Sequence, residues 1–311
     1  MRKKLSRFQE AALWIIILAF SLGFHAPALA QIAEILFSAP WGDGEGEIGL
    51  IDQPEMETCG PLSFCTDKDS IFLLDSVHKK LIGVDAGGKA RPVAGEVAGW
   101  SLCADGEGGA FVQTEDQIVH INSKGEKKGN FKINANAQRG KSLKLIQGYG
   151  NELFVDHQGQ ASLRTANQKI HKFAGARGAK RHASSVPNSS LDFQIKRMLG
   201  NEVRIIGFQD DGESRVSVRV RIDGGEAGAV LYKGMDNKGN LYVEVENIKD
   251  DKVFLEVHRY AQTGERLAVF ELSNNYFTTV YKKTEVAPDG SIYQMLTTED
   301  GVQILRYGKE G

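Results

Sequence analysis

The feature that most constrains this chain is a short phrase that recurs about six times. An apolar strand runs into a turn of the Asp-x-x-Gly type, and a second strand follows with an aromatic residue at its centre. The clearest copies are Thr66-Asp67-Lys68-Asp69-Ser70-Ile71-Phe72-Leu73, Met235-Asp236-Asn237-Lys238-Gly239-Asn240-Leu241-Tyr242-Val243 and Ala287-Pro288-Asp289-Gly290-Ser291-Ile292-Tyr293. Short strands repeating every 40–50 residues define radial β architectures, because one such unit cannot bury its apolar faces alone. Taking the central aromatic as the repeat marker gives Phe72, Phe111, Phe154, a degenerate copy near Arg204, then Tyr242 and Tyr293. A third strand follows each marker, as in Leu81-Ile82-Gly83-Val84, Ile118-Val119-His120-Ile121 and Ile304-Leu305-Arg306-Tyr307. Its alternation is that of a half-buried strand. A fourth, polar strand closes most repeats, and Pro92 is tolerated in one because an outermost strand has a free edge.

These spacings predict an all-β, six-bladed β-propeller. The last repeat stops after its third strand, and Ile32-Ala33-Glu34-Ile35-Leu36-Phe37 near the N-terminus supplies an apolar strand to complete it. The expected fold is therefore a ring closed by the N-terminal strand, which also hides an edge. Between the third and fourth repeats, residues 174–190 are rich in Gly, Ala, Ser and basic residues and read as a surface loop.

Residues 1–30 read as a secretory signal peptide, and residues 31–311 as a single propeller domain. Arg2, Lys3, Lys4 and Arg7 precede an apolar stretch from Ala11 to Phe24, and Ala28-Leu29-Ala30 forms a cleavage site before Gln31. That stretch is shorter than the roughly 20 residues a spanning helix needs. The expected location is periplasmic or secreted, with no stable membrane span after cleavage. The whole chain has a formal net charge of −2, and segment 1–30 removes more basic than acidic residues, so the remainder is mildly acidic. Such a balance argues against nucleic acid as a partner.

The first repeat resembles an NHL repeat. The residues that carry the likeness run from Gly60-Pro61 through the Asp67 turn and the strand ending in Asp75 to Lys79-Lys80-Leu81-Ile82-Gly83-Val84-Asp85. Ser70 stands where Gly is usual and His78 where Asn is usual. The resemblance implies a six-bladed propeller of NHL type. It implies no activity, since propellers host enzymes, binders and scaffolds alike.

Several residue sets could carry function. Lys144, Lys196, Lys233, Lys282 and Lys283 fall 8 to 11 residues before their repeat markers, on innermost strands. There they would line a channel mouth as a positive funnel for an anionic ligand. Asp43, Glu45 and Glu47 could hold Ca²⁺. They sit in Gly44-Glu45-Gly46-Glu47-Ile48-Gly49, which matches G-x-G-x-x-G in letters only: no helix follows, and the acids would repel a pyrophosphate. Cys59, Cys65 and Cys103 are disulfide candidates, with one bridge and one thiol as the simplest oxidised state and three buried thiols as the alternative. His78, His120, His157, His171 and His258 share no first-strand position and read as surface or structural histidines. No nucleophile–base motif is present. The expected function is an exported non-catalytic propeller that binds a protein partner of the envelope, or an anionic small molecule or glycan, through one face of the disc. The competing expectation is a metal-dependent hydrolase or lyase with its site at the channel mouth. No cofactor beyond Ca²⁺ is suggested.

Overall fold

Each repeat folds as an antiparallel meander, and the turn chemistry shows why. In the computed structural model of the protein, which describes residues 33–67, 70–114, 117–132, 152–155, 160–164, 170–177, 192–198, 201–208 and 214–308, Asp105 Oδ1 accepts the backbone N–H groups of Glu107 and Gly109 at 2.7 and 2.8 Å. Asp236 Oδ1 does the same for Lys238 and Asn240, and Asp289 for Ser291. A carboxylate that satisfies two turn N–H groups makes a tight strand-to-strand reversal cheap. Gly239 holds φ +81° in one such turn, and a Cβ there would stand 2.3 Å from Gln262 Nε2.

The strands are β1 (Glu34–Pro40), then β2 (Ser63–Asp67), β3 (Ser70–Asp75), β4 (Lys80–Val84) and β5 (Ala90–Ala94) in the first sheet. The second contains β6 (Ser101–Ala104), β7 (Ala110–Gln113), β8 (Gln117–Ile121) and β9 (Lys127–Lys132). The third contains β10 (Glu152–Val155), β11 (Gln160–Arg164) and β12 (Ile170–Arg177), and the fourth β13 (Asp192–Arg197), β14 (Glu202–Phe208) and β15 (Ser214–Arg221). The fifth contains β16 (Glu226–Met235), β17 (Leu241–Lys249), β18 (Lys252–Tyr260) and β19 (Arg266–Leu272). In the sixth, β20 (Thr284–Val286), β21 (Ile292–Thr298) and β22 (Gly301–Tyr307) follow one another, and β1 pairs antiparallel with β22 at the outside. The described residues are thus all-β, built of six antiparallel sheets in chain order, a propeller-like arrangement. No helix among the described residues is long and apolar enough to cross a membrane.

Where the side chains of both neighbours are described, successive sheets pack face to face. Phe72 and Leu74 of the first meet Leu102, Ala104 and Val112 of the second. Val203, Ile205 and Val218 of the fourth meet Tyr232, Val243 and Val245 of the fifth. Val257 and Phe270 of the fifth meet Ile292 and Leu305 of the sixth. The sixth sheet in turn packs on the first: Phe37 and Ala39 of β1, with Met295 and Ile304, share one core with Phe64, Leu73 and Ile82. The chain ends are further joined where Tyr281 N donates to Leu62 O at 2.9 Å and Trp41 Nε1 to Thr298 O at 2.9 Å.

The structure places three sequence readings more finely. Arg204 lies on β14 between Val203 and Ile205, which turn to the core, so the marker of the fourth repeat falls beside Arg204. Phe154 lies on β10, the first described strand of its sheet, and residues 133–151 before it lie outside the described residues. The stretch expected to be a loop from residue 174 begins as strand, since β12 continues to Arg177.

Candidate functional site

The inner strands bring together most of the predicted lysines. Lys282 stands just before β20, free of the strand's alternation, and its Nζ lies 2.8 Å from Glu285 Oε2; both side chains are 2 % exposed. Glu285 Oε1 accepts Thr66 N and Thr66 Oγ1 of β2 at 3.3 and 3.2 Å. Lys282 Nζ also reaches Leu102 O of β6 at 3.5 Å. One lysine of the sixth sheet therefore touches the inner strand of the second. Beside it, the buried Lys233 Nζ of β16 lies 3.9 Å from Glu244 Oε2, and Thr284 Oγ1 donates to the same carboxylate. Lys283 Nζ lies 3.6 Å from Glu246 Oε1, 3.3 Å from Asn274 Oδ1 and 5.1 Å from the centre of the Tyr276 ring. Burying an ion costs several kcal/mol unless an opposite charge and hydrogen bonds compensate. Here Lys233, Lys282 and Lys283 are each matched by a carboxylate. Lys196, on β13, is exposed and stands apart from this set. Lys144 lies outside the described residues.

The cysteines are free thiols in the structure, Cys65 and Cys103 buried and Cys59 half-buried with Sγ donating to Glu57 O at 3.2 Å. Cys65 pairs with Phe72 and Cys103 with Phe111, so they hold equivalent places on neighbouring inner strands. Burial, and then the Glu285 carboxylate, push the Cys65 thiol well above its usual range. A thiol held protonated and sealed from solvent is a poor nucleophile. Iodoacetamide at neutral pH should therefore modify Cys59 in the folded protein and Cys65 and Cys103 only after unfolding. Mass spectrometry of the labelled chain checks this, and two thiols that stay unlabelled even in denaturant would show a disulfide instead.

Two of the three acids proposed for Ca²⁺ already have partners. Asp43 Oδ1 faces His78 Nε2 at 2.8 Å, Glu47 Oε2 accepts Gly44 N at 2.7 Å, and Glu45 is exposed. The described residues contain no group of three or more His, Cys, Asp or Glu side chains arranged to hold a metal. His78 is clamped on its other side by the buried Asp75, 2.8 Å from Nδ1. A neutral imidazole has one N–H and can donate to only one of two carboxylates, so the pair favours the imidazolium. Its pKa is accordingly raised, chiefly by the hydrogen bond with Asp43, which outweighs partial burial. The stabilisation is fully present below the ordinary histidine pKa of about 6.5 and is lost as pH rises through the folded value. NMR titration of His78 should give a pKa above the ordinary value, and Asp43→Asn should lower it.

His120 and His258 are likewise held by acids. His120 Nε2 lies 2.8 Å from Asp105 Oδ2 and its ring stacks on Phe111, and His258 lies 2.6 Å from Glu256 and 3.1 Å from the Tyr260 hydroxyl. Burial raises the Asp105 carboxyl, yet the hydrogen bonds from His120, Glu107 and Gly109 hold it below its usual range. His120 thereby braces the turn that Asp105 begins, while His258 is held within its own strand. His157 and the His171 side chain lie outside the described residues.

Spacing missed a second basic set. In the fourth sheet Lys196, Arg204 and Arg219 stand directly opposite one another across three strands, and Arg221 follows on the same face of β15.

No protein-family model matches the chain, nor does any curated protein sequence. Solved structures do. Regucalcin, a calcium-binding protein from Agrobacterium tumefaciens, is 12 % identical over 90 % of this chain and 94 % of its own, with a TM-score of 0.49. Virginiamycin B lyase from Staphylococcus aureus is 10 % identical over 84 % of this chain and 99 % of its own, with a TM-score of 0.41. A putative gluconolactonase is 11 % identical over 90 % of this chain and 93 % of its own, with a TM-score of 0.40.

Proposed function

We propose that the six sheets are the blades of an NHL-type propeller closed by β1, that residues 1–30 direct its export to the periplasm or beyond, and that the disc is a binding module for an envelope protein or an anionic ligand. The observation that carries the reading is that Lys233, Lys282 and Lys283 each lie beside a carboxylate, that of Glu244, Glu285 and Glu246 respectively. An axis whose lysines are each matched by a carboxylate serves as a structural hub, and recognition falls to the faces and rims.

The second reading is a metal-assisted hydrolase or lyase at the channel mouth. It requires three or more His, Asp or Glu ligands around one ion. Calcium at Asp43, Glu45 and Glu47 requires Asp43 to leave His78 and Glu47 to leave Gly44 N. Elemental analysis of the protein purified from the periplasm without chelator separates the two. A metal at about one per chain would replace the binding reading with the enzyme. No metal, together with a partner recovered by pull-down from the same compartment, would support the binding module.

A further inference from the structure

The cationic face of the fourth sheet is poorly matched by acids among the described residues. Residues directly opposite in neighbouring strands stand about 5 Å apart, and like charges placed so destabilise a sheet. Lys196, Arg204 and Arg219 form such a row. Arg204 is half-buried and its Nε donates to Ser217 Oγ at 2.9 Å, which fixes the guanidinium on the face. Arg219 and Arg221 are 62 % and 70 % exposed, and both lie 3.7 Å from Glu202, which is shared between them. Four cations thus face one described carboxylate. The opposite face of the same sheet is ordinary core, formed by Val203, Ile205 and Val218.

Spacing narrows the occupant. On β15, Ser217, Arg219 and Arg221 point to one face at every second residue, a repeat of about 6.8 Å. An extended peptide with acidic residues at alternate positions has the same repeat. The row across the strands then offers Lys196 and Arg204 to the same chain of carboxylates. We propose that this face, Lys196–Arg204–Arg219–Arg221, is the docking surface for an extended acidic segment of a protein partner. The inference rests on the binding-module reading and names where and how the partner is held.

The test uses the mature chain and fluorescently labelled octapeptides: one alternating Glu and Thr, and an isomer with four Glu followed by four Thr. The alternating peptide should bind about tenfold tighter than the isomer, and more weakly as salt rises. Arg219→Glu/Arg221→Glu should weaken it at least about tenfold, and Glu202→Gln should strengthen it. Lys249→Glu, at an exposed site on the fifth sheet, should change nothing. Circular dichroism melts confirm that each variant folds, and Arg219→Gln/Arg221→Gln gives the same reading if charge reversal destabilises the sheet. Equal binding of the two isomers, or full binding by both Arg variants, would overturn the proposal. So would a sulfated oligosaccharide that binds tighter with the same sensitivity to Arg219 and Arg221, which would make the surface a glycan site. A partner recovered by pull-down that still binds the Arg variants would leave the binding module standing and remove only this docking surface.

Discussion

Deleting residues 33–40 should lower the unfolding free energy by about 5 kcal/mol or more, a large share of the ~5–15 kcal/mol typical of a whole domain. The deletion removes the outer strand of the sixth sheet and the pairings from Glu34↔Arg306 to Pro40↔Gly301. It also takes Phe37 and Ala39 out of the core that the sixth sheet shares with the first, leaving Val302, Ile304, Ile82 and Val84 without that cover. A buried aromatic alone is worth about 3–5 kcal/mol when truncated. The new edge at β22 would carry unpaired backbone groups, which invites association. Chemical denaturation should show the loss, and size exclusion should show oligomers. A milder substitution makes the same point: Gly301→Ala would place a Cβ 2.1 Å from Ala39 O, at a backbone with φ +152°, and so push β1 off β22. A deletion variant with an unchanged melting transition would remove β1 from any role in closing a ring.

The rhythm of the strands was legible because it rests on local chemistry. Asp236 and Gly239 specify their turn within five residues, and Pro92 lies on an outermost strand as its missing N–H requires. The degenerate fourth repeat could be placed only near Arg204 because a strand has period two, and Arg204 differs from the core residue Ile205 only in which face it takes. The functional residues were harder. Lysine spacing found Lys233, Lys282 and Lys283 but not their carboxylates. Glu244 and Glu246 come from β17 and meet Thr284 and Lys283, about 40 residues on, only through packing of neighbouring sheets. Lys282 and Glu285 are three apart, a spacing that places side chains on opposite faces of a strand. They meet because Lys282 precedes β20 and is not bound by its pleat. Lys196 was grouped with the other lysines by position, yet its neighbours in space are Arg204 and Arg219, which no repeat spacing connects to it.

The Lys282–Glu285 pair gives the second large effect. Lys282→Met should destabilise the protein by about 3–5 kcal/mol, because it leaves a buried carboxylate without its ammonium. The methionine fills much of the same volume, so the loss reports charge rather than a cavity. Glu285 keeps its hydrogen bonds from Thr66 N and Oγ1, and these soften the loss without replacing a full charge. Glu285→Gln alone strands the ammonium instead, although Leu102 O remains an acceptor at 3.5 Å. In Lys282→Met/Glu285→Gln neither charge remains, and the amide oxygen can still accept from Thr66. The double variant should therefore be more stable than the sum of the single losses predicts, by at least about 1.5 kcal/mol, a coupling expected of residues in one network. Its binding to an acidic peptide should match that of the unmodified protein, since the pair joins the sixth sheet to the first and second and stands apart from the proposed docking face on the fourth. Single losses that simply add would show that the two side chains do not act as a pair. A peptide affinity that falls with the double variant would place the Lys282–Glu285 pair, not the fourth sheet, at the centre of recognition.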